Sequence, residues 1–437
     1  MMPVVAPFSG HLLLIFLLQV SLLLGTALLL GRLAVRWRMP AIVGELTAGV
    51  LLGPSVLAHF APGVTEWLLP QRAEQMNLLD AAGQLGVLLL VAVTGTHMDL
   101  GLIRAHGRSA TAVSLTGLVI PLGLGVGAGF LLPTSLIQAQ HSRTVFALFL
   151  GIALCVSAIP VIAKTLMDMR LIDHRIGQLI LMAGTIDDAV GWLLLSVVSA
   201  VAAGGLYFAG VAWSILSLLF FLVFMATAGH HLVRAAMRLA LRSGDRAVPV
   251  ATAVVLVLLC SAATHALGLE AVFGAFSCGI LLGTCRDLRP DWVDPLRTVV
   301  LSVLAPLFFA AVGLRVDLRA LFHPVVAGAG VLIVALAVTG KFLGAGLGAA
   351  LTGMNRWEAV ALGAGMNARG VVEIIIASVG LRAGILNTET YTIIVLLAVL
   401  TSVMAPPILR LAMRRVDRSF GDTAIGPAPL TGRRSST

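Results

Sequence analysis

Two adjacent aspartates, Asp187 and Asp188, lie in the middle of the apolar segment "QLILMAGTIDDAVGWLLLSVVSAV". A carboxylate at the centre of a membrane helix costs about 2.5–3.5 kcal/mol on insertion scales. A chain that accepts this twice in neighbouring residues has chemistry to do there: a buried carboxylate can bind a cation, hold a proton or pair with a base. Successive helix residues point about 100° apart, so the two aspartates cannot share one task. One can meet a partner on a neighbouring helix while the other faces a cavity. Lys341, alone in another apolar segment, is the obvious partner. The sequence leaves open whether Lys341 only holds Asp187 or also carries a proton. A purely structural ion pair is the plain alternative. Arg369 and Glu373, spaced i,i+4, read first as a local pair, and Glu45 reads as a satisfied polar residue rather than the alternative, a second site.

The chain that must position these charges is 59% hydrophobic and 11% charged over 437 residues, which describes an all-α polytopic membrane protein. The net charge of +9 sits mostly in short loops and implies no nucleic-acid partner. The four cysteines form no CxxC pair and the histidines show no ligand spacing, so neither a metal centre nor a cofactor is expected. Nor does the sequence point to an enzyme. Thirteen transmembrane helices are expected, at 11–33, 41–59, 79–97, 109–132, 144–163, 176–202, 206–228, 247–267, 270–285, 298–314, 325–351, 357–381 and 390–412. Residues 413–437 read as a disordered cytoplasmic tail. Loops and span ends on one side hold 22 Lys and Arg against 5 on the other. The positive-inside rule then puts the N-terminus outside and the C-terminus in the cytoplasm.

Two segments repeat. "AIVGELTAGVLLG" (41–53) and "AVFGAFSCGILLG" (271–283) are identical at six of 13 positions, including all three glycines. The spans that follow end "VAVTGTHMDL" (91–100) and "FAAVGLRVDL" (309–318). Matched spans are seven apart, an odd number, so the second copy crosses in the opposite direction. This predicts inverted six-helix repeats, repeat one at 11–202 and repeat two at 247–412, joined by a linker helix at 206–228. Secondary transporters with their site at the repeat interface are built this way. Equivalent spans in the two repeats are interrupted. "ALCVSAIPVIAKTL" (153–166) contains Pro160, and "GAGMNARGVVEI" (363–374) contains Asn367, Arg369 and three glycines. Paired breaks suit crossing half-helices whose exposed ends face a polar site. A lone Pro160 could also be a plain kink.

The sequence resembles the monovalent cation/proton antiporter superfamily, in its bacterial sodium/proton and potassium/proton branch. The resemblance rests on "VGELTAGVLLGPSVL", "ALCVSAIPVIAKTLMDMRL", "GTIDDAVGW", "GAFSCGILLG", "PLFFAAVGLRVDL" and "GMNARGVVEIIIASVGL", spread across nearly the whole chain. It implies two crossed discontinuous helices in a core domain, a separate dimerisation domain and hence a homodimer, and elevator-like alternating access. It implies a bacterial plasma-membrane location, embedded in lipid, for a 1–412 antiporter domain. Residue by residue, Asp188 matches the carboxylate that binds Na+ or K+ or a proton, Asp187 the one that pairs with Lys341, and Ser157 falls near a polar residue that helps coordinate the ion. Relatives with two aspartates here are electrogenic as a rule. The chain ends soon after its last span, so gating through a C-terminal nucleotide-binding domain is not expected.

The expected mechanism is competition: Asp188 holds either protons or a small cation (Na+, K+ or Li+), and only the occupied site crosses. Three rivals differ in class. An intramembrane aspartyl protease needs aspartates facing each other from two helices, which adjacent residues do not supply. A cation channel uses rings of carbonyls or charges, and a sodium-coupled solute carrier needs an organic substrate. Spacing does not choose between sodium and potassium.

Overall fold

The computed structural model describes residues 10–37, 39–68, 73–96, 107–138, 142–171, 174–204, 208–245, 247–285 and 290–424. Apart from one isolated β-bridge between Ile137 and Leu386, these form helices and their connections. The helices used below are α1 (Gly10–Arg36), α2 (Ala41–Leu52), α3 (Ala73–Thr96), α4 (Gly107–Leu131), α5 (Arg143–Cys155), α6 (Ile159–Asp168), α7 (Arg175–Gly204), α8 (Phe208–Phe224) and α9 (His230–Leu241). They continue as α10 (Ala247–Ala266), α11 (Ala271–Gly283), α12 (Pro290–Val299), α13 (Ala305–Gly313), α14 (Pro324–Leu351), α15 (Arg356–Met366), α16 (Val371–Arg382) and α17 (Thr388–Ala424).

Among the described residues, 10 helices are long and apolar enough to cross a membrane, or up to 11 if α15 and α16 form one span bent by 47°. The expected spans at 144–163 and 270–285 fall instead on the shorter apolar helices Arg143–Cys155, followed by α6, and Ala271–Gly283. The chain is a multi-pass, all-helical membrane protein.

Two expected boundaries are corrected. The linker helix does not stop at 228: α8 passes through a π-turn, Met225–Gly229, straight into α9. Hydropathy drops at His230 and His231, but Val233, Met237 and Ala240 keep a buried stripe at helical spacing, so the helix persists as an amphipathic one. The tail expected to be disordered from 413 is helical to Ala424. Leu409, Ala412, Met413 and Val416 continue the buried face of α17, and Arg415 lies 5.3 Å from the Trp357 ring at the start of α15. Residues 425–437 lie outside the described residues, as does the His97–Leu100 end of the first repeat motif.

Between membrane helices apolar burial gives little drive, so close approach of backbones carries the packing. A Cβ on Gly49 of α2 would sit 2.7 Å from the Gly313 Cα on α13. A Cβ on Gly95 of α3 would sit 3.1 Å from the Gly279 Cα on α11. Gly49 and Gly279 hold matched positions in the repeated motif, as do Gly95 and Gly313. The same glycine-on-glycine contact is therefore made twice. A second set of close contacts locks α4 between two helices. Gly344 and Gly348 of α14 would meet Gly117 and Val113 of α4 at 2.8 and 2.6 Å, and Gly125 of α4 would meet Gly151 of α5 at 2.6 Å. These contacts bring α14, with Lys341, and α4 against the interrupted segment between α5 and α6.

Candidate ion-binding site

Two helix breaks meet at the centre of the site. One separates α5 from α6 at Val156–Ala158, and the other separates α15 from α16 at Asn367–Gly370. The backbone N–H of Ala158 donates to the Ala368 carbonyl at 3.1 Å, joining the two. The Ser157 hydroxyl lies 2.8 Å from the Met366 carbonyl and 2.9 Å from Asp187 Oδ2. It has one proton, so it donates to one of them at a time. Pro160 does not kink a continuous helix. It occupies the first turn of α6, where a missing backbone N–H costs nothing. Gly370, N-cap of α16, has φ 157° and ψ −107°, a conformation open to glycine.

A break exposes carbonyls at one helix end and N–H groups at the next. Arg369 serves the carbonyls. Fully buried, its guanidinium donates to the Ala153 carbonyl at 2.9 Å, to the Leu154 carbonyl, and to the Ala337 carbonyl of α14 at 3.4 Å. It therefore caps the C-terminus of α5 from another chain segment, where the helix dipole favours a cation. Its pair with Glu373, at 3.3 Å, is one contact among several, so the i,i+4 reading captured only part of its role. Ser402 of α17 donates to the Arg369 carbonyl.

The two aspartates on α7 have opposite surroundings. Asp187 is well partnered. Its Oδ2 lies 2.7 Å from Lys341 Nζ and accepts from Ser157, and its Oδ1 accepts from the Ser114 hydroxyl of α4 at 2.7 Å. Lys341 also donates to Ser157 Oγ at 2.8 Å. Asp188 is equally buried, and neither of its oxygens has a hydrogen-bond partner among the described residues. Its direction follows from its neighbours at i−4 and i+3. A Cβ on Gly184 would touch Ile162 of α6 at 3.1 Å, and one on Gly191 would touch Val156 at 2.7 Å. Gly184, Asp188 and Gly191 share a helix face, so Asp188 stands against the break before α6. There it feels the Ile159 backbone N–H and the charges of Asp187 and Lys341. Asn367, at the other break, is also fully buried, and among the described residues neither of its amide atoms has a hydrogen-bond partner.

The arrangement offers a carboxylate with free lone pairs beside two helix ends, next to a neighbour whose charge is already neutralised. Among the described residues no group of three or more His, Cys, Asp or Glu could hold a metal ion. Hydroxyls, carbonyls and one carboxylate are ligands for hard cations, and a lone buried carboxylate also takes a proton. Sequence reasoning missed Ser114 and the carbonyls that Arg369 caps. A serine in an apolar helix carries no distinguishing signal, and backbone carbonyls carry none at all.

Residues 20–415 match the transmembrane region that defines sodium/hydrogen exchangers. The chain belongs to the sodium/hydrogen exchanger family. This is a family of cation/proton antiporters, and the chain is a transporter rather than an enzyme. It is 30% identical over 399 residues to the Na+/H+ antiporter NhaS4 of Synechocystis, covering 91% of this chain and 97% of that one. It is 28% identical to cation/H+ antiporter 18 of Arabidopsis thaliana, covering 90% of this chain but 48% of the plant protein, so it spans about half of that relative's length. Its fold is similar to that of the sodium/proton antiporter MjNhaP1 of Methanocaldococcus jannaschii, with a TM-score of 0.61, 17% identity, and coverage of 92% and 99% of the two chains.

Proposed function

We propose that this exchanger moves protons against Na+ or K+ electrogenically, with Asp188 as the site that cation and proton share. The observation that carries this reading is the contrast between the two aspartates: Asp187 meets Lys341, Ser157 and Ser114, whereas among the described residues neither Asp188 oxygen has a hydrogen-bond partner. A carboxylate already bound to an ammonium and facing two hydroxyls has its charge neutralised and little acceptor capacity left for an ion. A buried unpartnered one is costly as a bare anion, so it favours a bound proton or cation and holds only one of them at a time. Lys341 neutralises Asp187 and, in the electrogenic cycle, releases it when the cation binds. Ser157 and Asn367, placed at the two breaks, add polar ligands to the ion in this reading.

The repeated glycine contacts, Gly49 with Gly313 and Gly279 with Gly95, support an inverted-repeat architecture of 13 spans with the two breaks crossing at its centre. Exchange then proceeds by elevator-like motion of the helices carrying the site against those carrying the glycine pairs. The protein works as a homodimer in a bacterial plasma membrane, N-terminus outside and C-terminus cytoplasmic, as the 22-to-5 distribution of basic residues supports.

The test is pH-resolved exchange in proteoliposomes with Na+, K+ or Li+, with and without an imposed membrane potential. Cation-dependent proton movement that Asp188→Asn abolishes is the expected result. Exchange that survives Asp188→Asn removes the assignment.

A further inference from the structure

Some distance from the aspartates, a cavity of about 20 Å³ lies between α3, α13 and α16, room for about one water. Its polar lining is Asp80 and Gln84 of α3, Arg315 just after α13, and Ser378 and Arg382 of α16. Asp80 and Arg315 form an ion pair, the arginine reaching both carboxylate oxygens. Arg382 makes no ion pair among the described residues, yet it lies in the field of Glu270, Asp80 and Arg315.

The position of this cluster gives it meaning. Helix α16 begins at the break that meets the ion site and ends at Arg382. Ser378 is eight residues beyond Gly370, about 12 Å along the helix at 1.5 Å per residue. The opposite wall belongs to α3 and α13, which carry the glycines Gly95 and Gly313. The cavity therefore sits on the seam between the helices that carry the site and those locked by the glycine pairs, between the site and one membrane face. The seam is stitched further along: Tyr391 Oη of α17 donates to the Val312 carbonyl at 2.9 Å, and the Asp317 N–H donates to Thr392 Oγ1 at 3.1 Å. Arg315 and Arg382 belong to the arginine-poor side of the chain, where only 5 basic residues lie, so their placement is not part of the general inward bias.

We propose that Asp80, Arg315 and Arg382 form the gate on this face of the exchanger. The Asp80–Arg315 pair holds the guanidinium across the seam, and Arg382 adds a second positive charge in the path of a cation. Both must move aside before the site opens to that side. This rests on alternating access as proposed above.

The test uses a reporter cysteine. Ser378→Cys, on the cavity wall, is labelled with a membrane-impermeant methanethiosulfonate in right-side-out and everted vesicles, and the chain with Ser378 intact supplies the blank for native cysteines. Gln84→Cys on the opposite wall is the second reporter should the first not fold. Adding Arg382→Gln or Arg315→Gln should speed labelling at least fivefold from one face only. The charge swap of Asp80→Arg with Arg315→Asp should restore slow labelling. Unchanged rates overturn the gate, and equal acceleration from both faces does so too, because it reports general loosening. Labelling needs no transport. A one-sided acceleration in a protein that fails to exchange cations would sink the proposed function and leave the gate standing, and the reverse pattern would do the opposite.

Discussion

Lys341 Nζ and Asp187 Oδ2 stand 2.7 Å apart, with neither side chain exposed. Two charges taken out of water hold each other only while both are present. Removing one partner of a buried pair leaves an uncompensated charge and costs about 3–5 kcal/mol. Asp187→Ala should therefore lower the thermal midpoint in detergent sharply. The double variant Asp187→Asn with Lys341→Gln should recover much of that loss. Differential scanning fluorimetry of the three proteins decides it.

Asp188 predicts the opposite sign. It makes no hydrogen bonds among the described residues, so its ionised form contributes desolvation cost without return. Asp188→Asn should keep or raise the thermal midpoint while abolishing exchange. A fall as large as that of Asp187→Ala would show that Asp188 has structural partners after all.

Competition at one carboxylate also sets a pH dependence. Where the protonated form dominates, each unit drop in pH removes about nine-tenths of the free sites, so the KM for the cation should rise about tenfold. Initial rates against cation concentration at three pH values measure this. A KM independent of pH would mean that proton and cation do not share a site.

The role of Lys341 in electrogenicity is separable from its role in the fold. Lys341→Gln removes the charge that would be released in the cycle. Exchange through Asp188 should persist at reduced stability, and its rate should lose its response to an imposed membrane potential. Retained potential dependence in proteoliposomes would place the uncompensated charge elsewhere.

Ser114 donates to Asp187 Oδ1 from α4 at 2.7 Å. A hydrogen bond to a charged group contributes about 1.5–3 kcal/mol. Ser114→Ala should lower the thermal midpoint by less than Asp187→Ala and leave cation selectivity unchanged, as ion-dependent rates for Na+ and K+ would report.

Sequence and structure part company along a physical line. Asp187, Asp188 and Lys341 stood out because a charge in an apolar span is expensive and therefore conspicuous, and the 100° step between neighbours already separated their tasks. Asp188 and Asn367 share a property that no sequence displays, buried polar atoms with no hydrogen-bond partner among the described residues. Arg369 was visible as a charge, but its partners are mainly carbonyls of Ala153, Leu154 and Ala337, which every residue possesses. The span boundaries of α9 and α17 slipped for another reason. Hydropathy marks where a helix leaves the apolar layer, and an amphipathic helix does not end there.

The contacts of Gly49 with Gly313 and of Gly95 with Gly279 involve no side chains at all. A contact between two bare backbones has no rotamers through which to adjust, so it behaves as a fixed length. Probes attached near the ends of α2 and α13 should report one unchanging distance whatever ion is bound. That distance supplies an internal ruler against which any displacement of α7 or α16 can be read.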